Sequence, residues 1–153
     1  MSRIDTVLAR ARERLTRLDP VEVPDALARG AVLVDIRPAA QRAFEGLLPG
    51  ALVVERNVLE WRCDPTSHSR LPQATGDDVE WVVVCSQGYT SSLAAAALLD
   101  LGLYRATDVV GGYQALARTG VPAIAGSPAS PGPGEVLSSP ESMLAAAVRP
   151  PTR

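Results

Sequence analysis

The sequence predicts an α/β fold: a mainly parallel central sheet of four to five strands, flanked by helices on both faces. Two observations support this prediction. Short valine-rich apolar runs, typical of buried strands, alternate along the chain with segments of helical pattern. The length of 153 residues suits one domain with its own apolar core and is too short for two domains of ordinary size.

The first predicted element is a helix over residues 3–18, closed by Asp19-Pro20. Residues 1–20 would then pack on, or extend from, the domain that follows. The arginines of this helix could attract an acidic partner, but arginines are also expected on the solvent-exposed face of a helix, and we assign them no function. The helical spacing comes from the apolar residues Ile4, Val7, Leu8, Ala11, Leu15 and Leu18, and the arginines are Arg3, Arg10, Arg14 and Arg17.

Residues 21–121 are predicted to form the domain itself. A short helix near 24–29 precedes a buried strand over 31–34 that ends at Asp35, and a second strand follows over 51–54. The later elements are a strand over 81–84 that ends at Cys85, an Ala- and Leu-rich helix over 91–101, a strand over 107–110 and a last helix at about 113–118.

The composition changes after Val121, because seven of the 13 prolines fall between Pro122 and the end of the chain. Proline, serine and glycine are poorly suited to a packed core. Residues 122–153 are therefore predicted to be a flexible tail, in which 141–148 could form a short helix that docks on the domain or on a partner.

Composition and charge exclude several classes of function. The formal net charge is −2, which leaves no broad basic face for nucleic acid. No apolar run is long enough to cross a bilayer, and the chain opens with Arg3 and Asp5 in place of a secretory segment. We expect a cytoplasmic protein that binds neither nucleic acid nor membrane.

The two cysteines, Cys63 and Cys85, are predicted to be free thiols without a metal ion. Cys63 and His68 lie five residues apart, but two ligands do not make a metal site. Cys63 could instead form a disulfide with Cys85 during a reaction, which requires their Cα atoms to come within about 7 Å.

Cys85 is the strongest candidate for chemistry because it ends a buried strand and precedes a short loop and a helix. Loops and helix N-termini meet at the carboxyl edge of a parallel sheet, where ligands bind. The backbone N–H groups there favour a thiolate over a thiol, and Gly88 lets the loop bend. From this spacing alone, a buried structural cysteine explains the pattern equally well.

Four segments of the chain occur in the order of a known family's motifs. They are Val34-Asp35-Ile36-Arg37 for V-D-x-R, residues 44–51 for F-x-x-G-H-I-P-G-A, residues 85–92 for C-x-x-G-x-[RST]-S, and residues 110–116 for L-x-G-G-[YFW]-x-A-W. With these segments, the chain from about Val23 to Val121 resembles the rhodanese homology domain.

The resemblance implies a rhodanese-like fold and a role for each matched residue. Cys85 matches the cysteine that accepts sulfur, and no metal or organic cofactor is implied. Asp35 and Arg37 match a pair that braces the strand end, and we favour a structural ion pair. The loop matches the segment that binds the persulfide and an anionic donor, and its residues are Ser86, Gln87, Gly88, Tyr89, Thr90 and Ser91.

The loop departs from many thiosulfate-using members because it carries no cation beside the cysteine. Thiosulfate is a dianion, so a persulfide becomes a comparatively better donor, unless Arg56 or Arg62 supplies the charge. A cysteine phosphatase needs an arginine that closes this loop, where the chain has Thr90 and Ser91.

The sequence therefore predicts a single-domain sulfurtransferase. It would accept sulfur from thiosulfate or a low-molecular-weight persulfide on Cys85 and pass it to cyanide, a small thiol or a protein acceptor. The alternative is a sulfur carrier or partner-binding module without turnover.

Overall fold

Four parallel strands form the central sheet, in the order β2-β1-β3-β4. The computed structural model describes residues 1–120, so the predicted tail of residues 122–153 lies outside the described residues. The strands are β1 (Val32–Asp35), β2 (Leu52–Val53), β3 (Trp81–Val84) and β4 (Thr107–Asp108). This arrangement confirms the predicted α/β fold class with a parallel sheet.

Helices connect the strands, as parallel pairing requires. Within residues 1–120, the six α-helices are α1 (Arg3–Glu13), α2 (Val23–Ala28), α3 (Ala39–Glu45), α4 (Leu59–Cys63), α5 (Thr90–Asp100) and α6 (Gly112–Thr119). No helix in this part of the chain is both long enough and apolar enough to cross a membrane.

The side chains of β3 alternate between two apolar clusters, one on each face of the sheet. Trp81, Val83 and the following Cys85 pack in the cluster that contains residues of α4 and α5. Val82 and Val84 pack in the cluster that contains residues of α2 and α6. Because both faces are covered, β3 is apolar throughout, which is why its sequence predicts a buried strand.

The predicted helix over residues 3–18 is wrong for residues 14–18, because α1 ends at Glu13. Leu18 lies in an extended segment that forms a parallel bridge with Val109, next to β4. The Leu18 N–H donates to Asp108 O at 3.0 Å, and the Val110 N–H donates to Leu18 O at 2.9 Å. The bridge pairs backbone groups that the edge of the sheet would otherwise leave open.

Candidate active site

A pocket of about 440 Å³ opens at the carboxyl edge of the sheet, over Cys85. Three parts of the chain form its wall: the end of β1 with α3, the loop after β3, and the start of α6. The lining residues are Ile36, Arg37, Pro38, Gln41, Phe44, Glu45, Cys85, Ser86, Gln87, Tyr89, Thr90 and Gln114. The structure thus brings most of the predicted loop residues around one cavity.

The Cys85 sulfur accepts two backbone hydrogen bonds. The Gly88 N–H donates to Sγ at 3.2 Å, and the Ser91 N–H, in the first turn of α5, donates at 3.4 Å. The cysteine is 4% exposed and lines the pocket. Donors of this kind stabilise a sulfur anion more than a neutral thiol, so the surroundings suit a thiolate or a persulfide.

Two glycines pack back to back beneath the loop. Gly88 has φ +80°, and an added Cβ would lie 2.7 Å from the Gly111 nitrogen. Gly112 has φ +61°, and an added Cβ would lie 2.7 Å from the Gly88 nitrogen and would overlap the Cys85 carbonyl oxygen. Only glycine fits this close approach of two backbones.

A carboxylate, Glu45, also lines the pocket. The Ser86 hydroxyl donates to Glu45 Oε2 at 2.6 Å, and Gln114 Nε2 donates to the same oxygen at 2.9 Å. The Ser86 hydrogen bond, opposed by burial and aided by Gln114 and Arg37, holds the pKa of Glu45 below its ordinary value. The pocket wall therefore contains an ionised carboxylate, whose Oε1 lies 3.5 Å from the Arg37 guanidinium.

Arg37 lies beside the pocket, but its guanidinium is committed to other groups. It pairs with Asp35 at 2.7 Å, donates to Gly46 O at 2.9 Å and lies 3.8 Å from the centre of the Tyr113 ring. Its side chain is 0% exposed. A ligand in the pocket cannot pair with this arginine unless the structure rearranges.

The structure does not bring Arg56 or Arg62 into the pocket. Arg56 pairs with Glu60 at 2.6 Å, and Arg62 donates to the backbone oxygen of Ser69. Neither arginine lines the cavity over Cys85. The prediction that Arg56 binds substrate therefore finds no support in the pocket.

Cys63 is fully buried in the apolar cluster that includes α4 and α5. Burial, with a contribution from the Glu60 carboxylate, raises the pKa of the Cys63 thiol. Within residues 1–120, no three His, Cys, Asp or Glu side chains come together in a way that could hold a metal ion. Cys63 is thus a core residue in this structure.

Sequence reasoning missed several residues around the loop. Gln114 lies two positions after the pair Gly111-Gly112, and this spacing is the sequence feature that could have identified it as a residue of the site. No sequence feature could have identified Glu45 in the same way. Arg17, predicted to lie on a solvated helix face, instead pairs with the buried Asp108 at 2.8 Å and has a side chain only 15% exposed.

The segment matched to F-x-x-G-H-I-P-G-A departs from that motif at its start. One residue, and not two, separates Phe44 from Gly46. Phe44 is 93% exposed and lies at the rim of the pocket. In this chain the phenylalanine therefore contributes to the surface around the site and not to the core.

Comparison with known proteins decides the family. Residues 19–119 match the rhodanese-like domain. The chain belongs to this family. A sulfurtransferase of Allochromatium vinosum is 34% identical to this rhodanese-like domain over 94 residues, which are 61% of this chain and 78% of that protein.

A second relative is much longer. An adenylyltransferase and sulfurtransferase of Lodderomyces elongisporus is 29% identical over 100 residues, which are 65% of this chain and 22% of that protein. The rhodanese-like chain thus spans about a fifth of its length. Both this protein and the Allochromatium protein are named as sulfurtransferases.

Two solved structures share the fold. A protein of unknown function from Rhodopseudomonas palustris, described as a possible tyrosine phosphatase, superposes with a TM-score of 0.69 at 28% identity, over 78% of this chain and 92% of that one. The thiosulfate sulfurtransferase of Pseudomonas aeruginosa superposes with a TM-score of 0.54 at 24% identity, over 69% of this chain and 17% of that one. At that identity, the second likeness shows the rhodanese-like fold alone.

Proposed function

We propose that this chain is a single-domain sulfurtransferase in which Cys85 carries the transferred sulfur as a persulfide. One observation carries the proposal: the Cys85 sulfur borders an open pocket and accepts hydrogen bonds from the Gly88 and Ser91 amides. A nucleophilic sulfur needs both access to a donor and stabilisation of its charge. No metal or organic cofactor takes part in this chemistry.

The reaction has two balanced steps. In the first, the Cys85 thiolate attacks the outer sulfur of a donor R–S–S⁻; a new S–S bond forms, the donor's S–S bond breaks, and R–S⁻ leaves with the electron pair. In the second, an acceptor thiolate attacks the outer sulfur of the Cys85 persulfide and restores the Cys85 thiolate. The loop amides stabilise the anionic sulfur in both states.

The charges around the pocket favour a persulfide over thiosulfate as the donor. The loop residues Ser86, Gln87, Tyr89 and Thr90 are neutral, and the Glu45 carboxylate shares the single Arg37 cation with Asp35. Arg37 cannot reach a donor because its side chain is buried. A dianion is therefore opposed by the carboxylate and meets no exposed cation in the pocket wall.

The rim of the pocket suits a donor or acceptor with an apolar part. Phe44 is 93% exposed and Tyr89 is 59% exposed, and both line the cavity. Exposed aromatic side chains beside a reactive group are typical of surfaces that contact another molecule. A small thiol or a cysteine on a protein acceptor fits this rim, and we expect the reaction to take place in the cytoplasm.

The remaining loop residues are proposed to bind the donor, and two other residues support the site. The proposal draws on the pocket lining by Ser86, Gln87, Tyr89 and Thr90, on the Gly88 and Ser91 amides that donate to the Cys85 sulfur, and on the buried pair of Asp35 and Arg37 at the end of β1. Phosphatase activity is disfavoured. That chemistry needs an arginine to hold the phosphate, and the only arginine in the pocket wall within residues 1–120 is the buried Arg37.

The test is to incubate the protein separately with glutathione persulfide, mercaptopyruvate and thiosulfate, and to measure intact mass and sulfur transfer. We expect a gain of about 32 Da, one sulfur atom, located on Cys85, with the persulfide loading fastest. The Cys63→Ala variant is the matched control and keeps the gain, whereas Cys85→Ser loses both the gain and the transfer.

Two outcomes contradict the proposal. A Cys85→Ser protein that still transfers sulfur would show that another group carries it. If no donor loads Cys85 and a protein partner binds wild type and Cys85→Ser equally well, the chain is a binding module without turnover.

A further inference from the structure

Three backbone carbonyls in the segment from Cys85 to Gly88 accept hydrogen bonds from other parts of the chain. The Tyr113 N–H donates to Cys85 O at 2.8 Å, and the Gln114 N–H donates to Ser86 O at 3.0 Å. These two bonds come from the start of α6. The third carbonyl, that of Gly88, is held from a different part of the chain.

Two arginines near the N-terminus hold the Gly88 carbonyl. Arg12 Nη2 donates to Gly88 O at 2.7 Å, and Arg17 Nη2 donates to it at 3.0 Å. In a planar trans peptide, the N–H points opposite to the C=O, so the Tyr89 N–H is directed away from both arginines. The Gly88 N–H, one peptide earlier, is the donor to the Cys85 sulfur.

The two arginines are themselves fixed to the first turn of α5. Arg17 forms two hydrogen bonds with the buried Asp108 carboxylate, at 2.8 and 3.1 Å. Asp108 also accepts from the Ser91 and Ser92 hydroxyls at 2.8 and 2.7 Å. Arg12 Nε donates to Ser92 Oγ at 3.1 Å. One connected network therefore joins the N-terminal segment to Gly88 and to Ser91, the two residues whose amides contact the sulfur.

The two arginines differ in charge balance. Asp108 neutralises Arg17, whereas Arg12 forms no ion pair with any residue of the described chain, 1–120. Arg12 also lies with its guanidinium 5.5 Å from the centre of the Tyr89 ring. A cation without a carboxylate partner, bound to the loop that holds Cys85, favours an anionic sulfur there.

The geometry points to Arg12 and Arg17 as positioning residues for the Cys85 loop, with Arg12 supplying the positive charge that the loop itself lacks. This inference rests on the proposed sulfur transfer for its biological meaning. Both arginines precede residue 19, where the match to the rhodanese-like domain begins. The N-terminal segment would thus complete the site from outside the family's matched region.

The test uses Arg12, because removal of Arg17 leaves the buried Asp108 without its ion-pair partner and risks unfolding. We would prepare Arg12→Met, Arg12→Lys and Arg14→Met in the full chain. Arg14 is the matched control: it pairs with Asp100 of α5 at 2.7 Å and does not contact the loop. The rate of alkylation by iodoacetamide is measured by mass spectrometry of tryptic peptides. Cys63 and Cys85 fall on different peptides because trypsin cleaves after Arg70, which lies between them.

We expect Arg12→Met to slow the alkylation of Cys85 at neutral pH by about three- to tenfold and to move its pH profile to higher pH. Arg12→Lys should restore much of the rate because it restores the charge, and Arg14→Met should match wild type. The inference is overturned if Arg12→Met has the wild-type rate and profile, or if it lowers only the urea midpoint.

The design separates this inference from the proposed function, because alkylation requires no sulfur donor. If wild type accepts no sulfur but Arg12→Met still shows slowed alkylation, the function fails and the positioning role stands. If wild type forms the persulfide and Arg12→Met is alkylated like wild type, the positioning role alone fails.

Discussion

Replacement of Gly112 by alanine tests the contact between the two glycines beneath the Cys85 loop. An added Cβ would overlap the Cys85 carbonyl oxygen and lie 2.7 Å from the Gly88 nitrogen. Both neighbours are backbone atoms, so no side-chain rotation relieves the clash. The Gly88 N–H donates to the Cys85 sulfur, and its displacement should also slow alkylation of Cys85.

The expected loss of stability follows from two costs. The φ of +61° places an alanine in the left-handed region, at about 1–2 kcal/mol, and crowding in a packed interior adds about 1–3 kcal/mol. The free energy of unfolding should therefore fall by about 2–5 kcal/mol, as measured by urea denaturation.

Gly120→Ala is the matched control for this variant. Gly120 has φ +59°, and no described atom lies within 4 Å of the added Cβ. It should lose about 1–2 kcal/mol from the backbone conformation alone and keep the wild-type alkylation rate of Cys85. Equal losses in the two variants, with unchanged alkylation in both, would refute the argument that Gly112 supports the loop by close packing.

Two further predictions concern Glu45 and Cys63. Glu45→Gln keeps an oxygen that can accept from Ser86 but removes the carboxylate charge, so thiosulfate should load Cys85 about three- to tenfold faster. The control Asp77→Asn, at an exposed residue, should not change the loading rate. Equal rates in wild type and both variants would contradict a role for the Glu45 charge. Cys63 should react with iodoacetamide only after denaturation, because it is buried and its pKa is raised; modification in the native protein at the rate of Cys85 would contradict its burial.

The sequence was most informative where one local pattern has one structural outcome. The apolar run of β3 is buried on both faces, and its end places Cys85 at the carboxyl edge of the sheet. The Ala- and Leu-rich segment forms α5, which begins one residue earlier than predicted. The order of these elements sufficed to predict the fold class and the location of the candidate site.

The sequence was least informative where contacts join distant parts of the chain. Leu15 and Leu18 continue the helical spacing of α1, yet the helix ends at Glu13 and Leu18 pairs with Val109. Arg12 contacts Gly88, which lies 76 positions later in the chain, and no local residue spacing predicts such a contact. The same limit applies to Glu45, whose partner Ser86 lies 41 positions away.

The support of the Cys85 loop from both α1 and α6 has a consequence for biosynthesis. Arg12 is synthesised before Cys85, but the amides of Tyr113 and Gln114 follow Cys85 by nearly thirty residues. Until these two residues are synthesised, the carbonyls of Cys85 and Ser86 lack the N–H donors that α6 supplies. The cysteine thus gains its final environment only after α6 has been synthesised, because segments on both sides of it in the chain hold its loop.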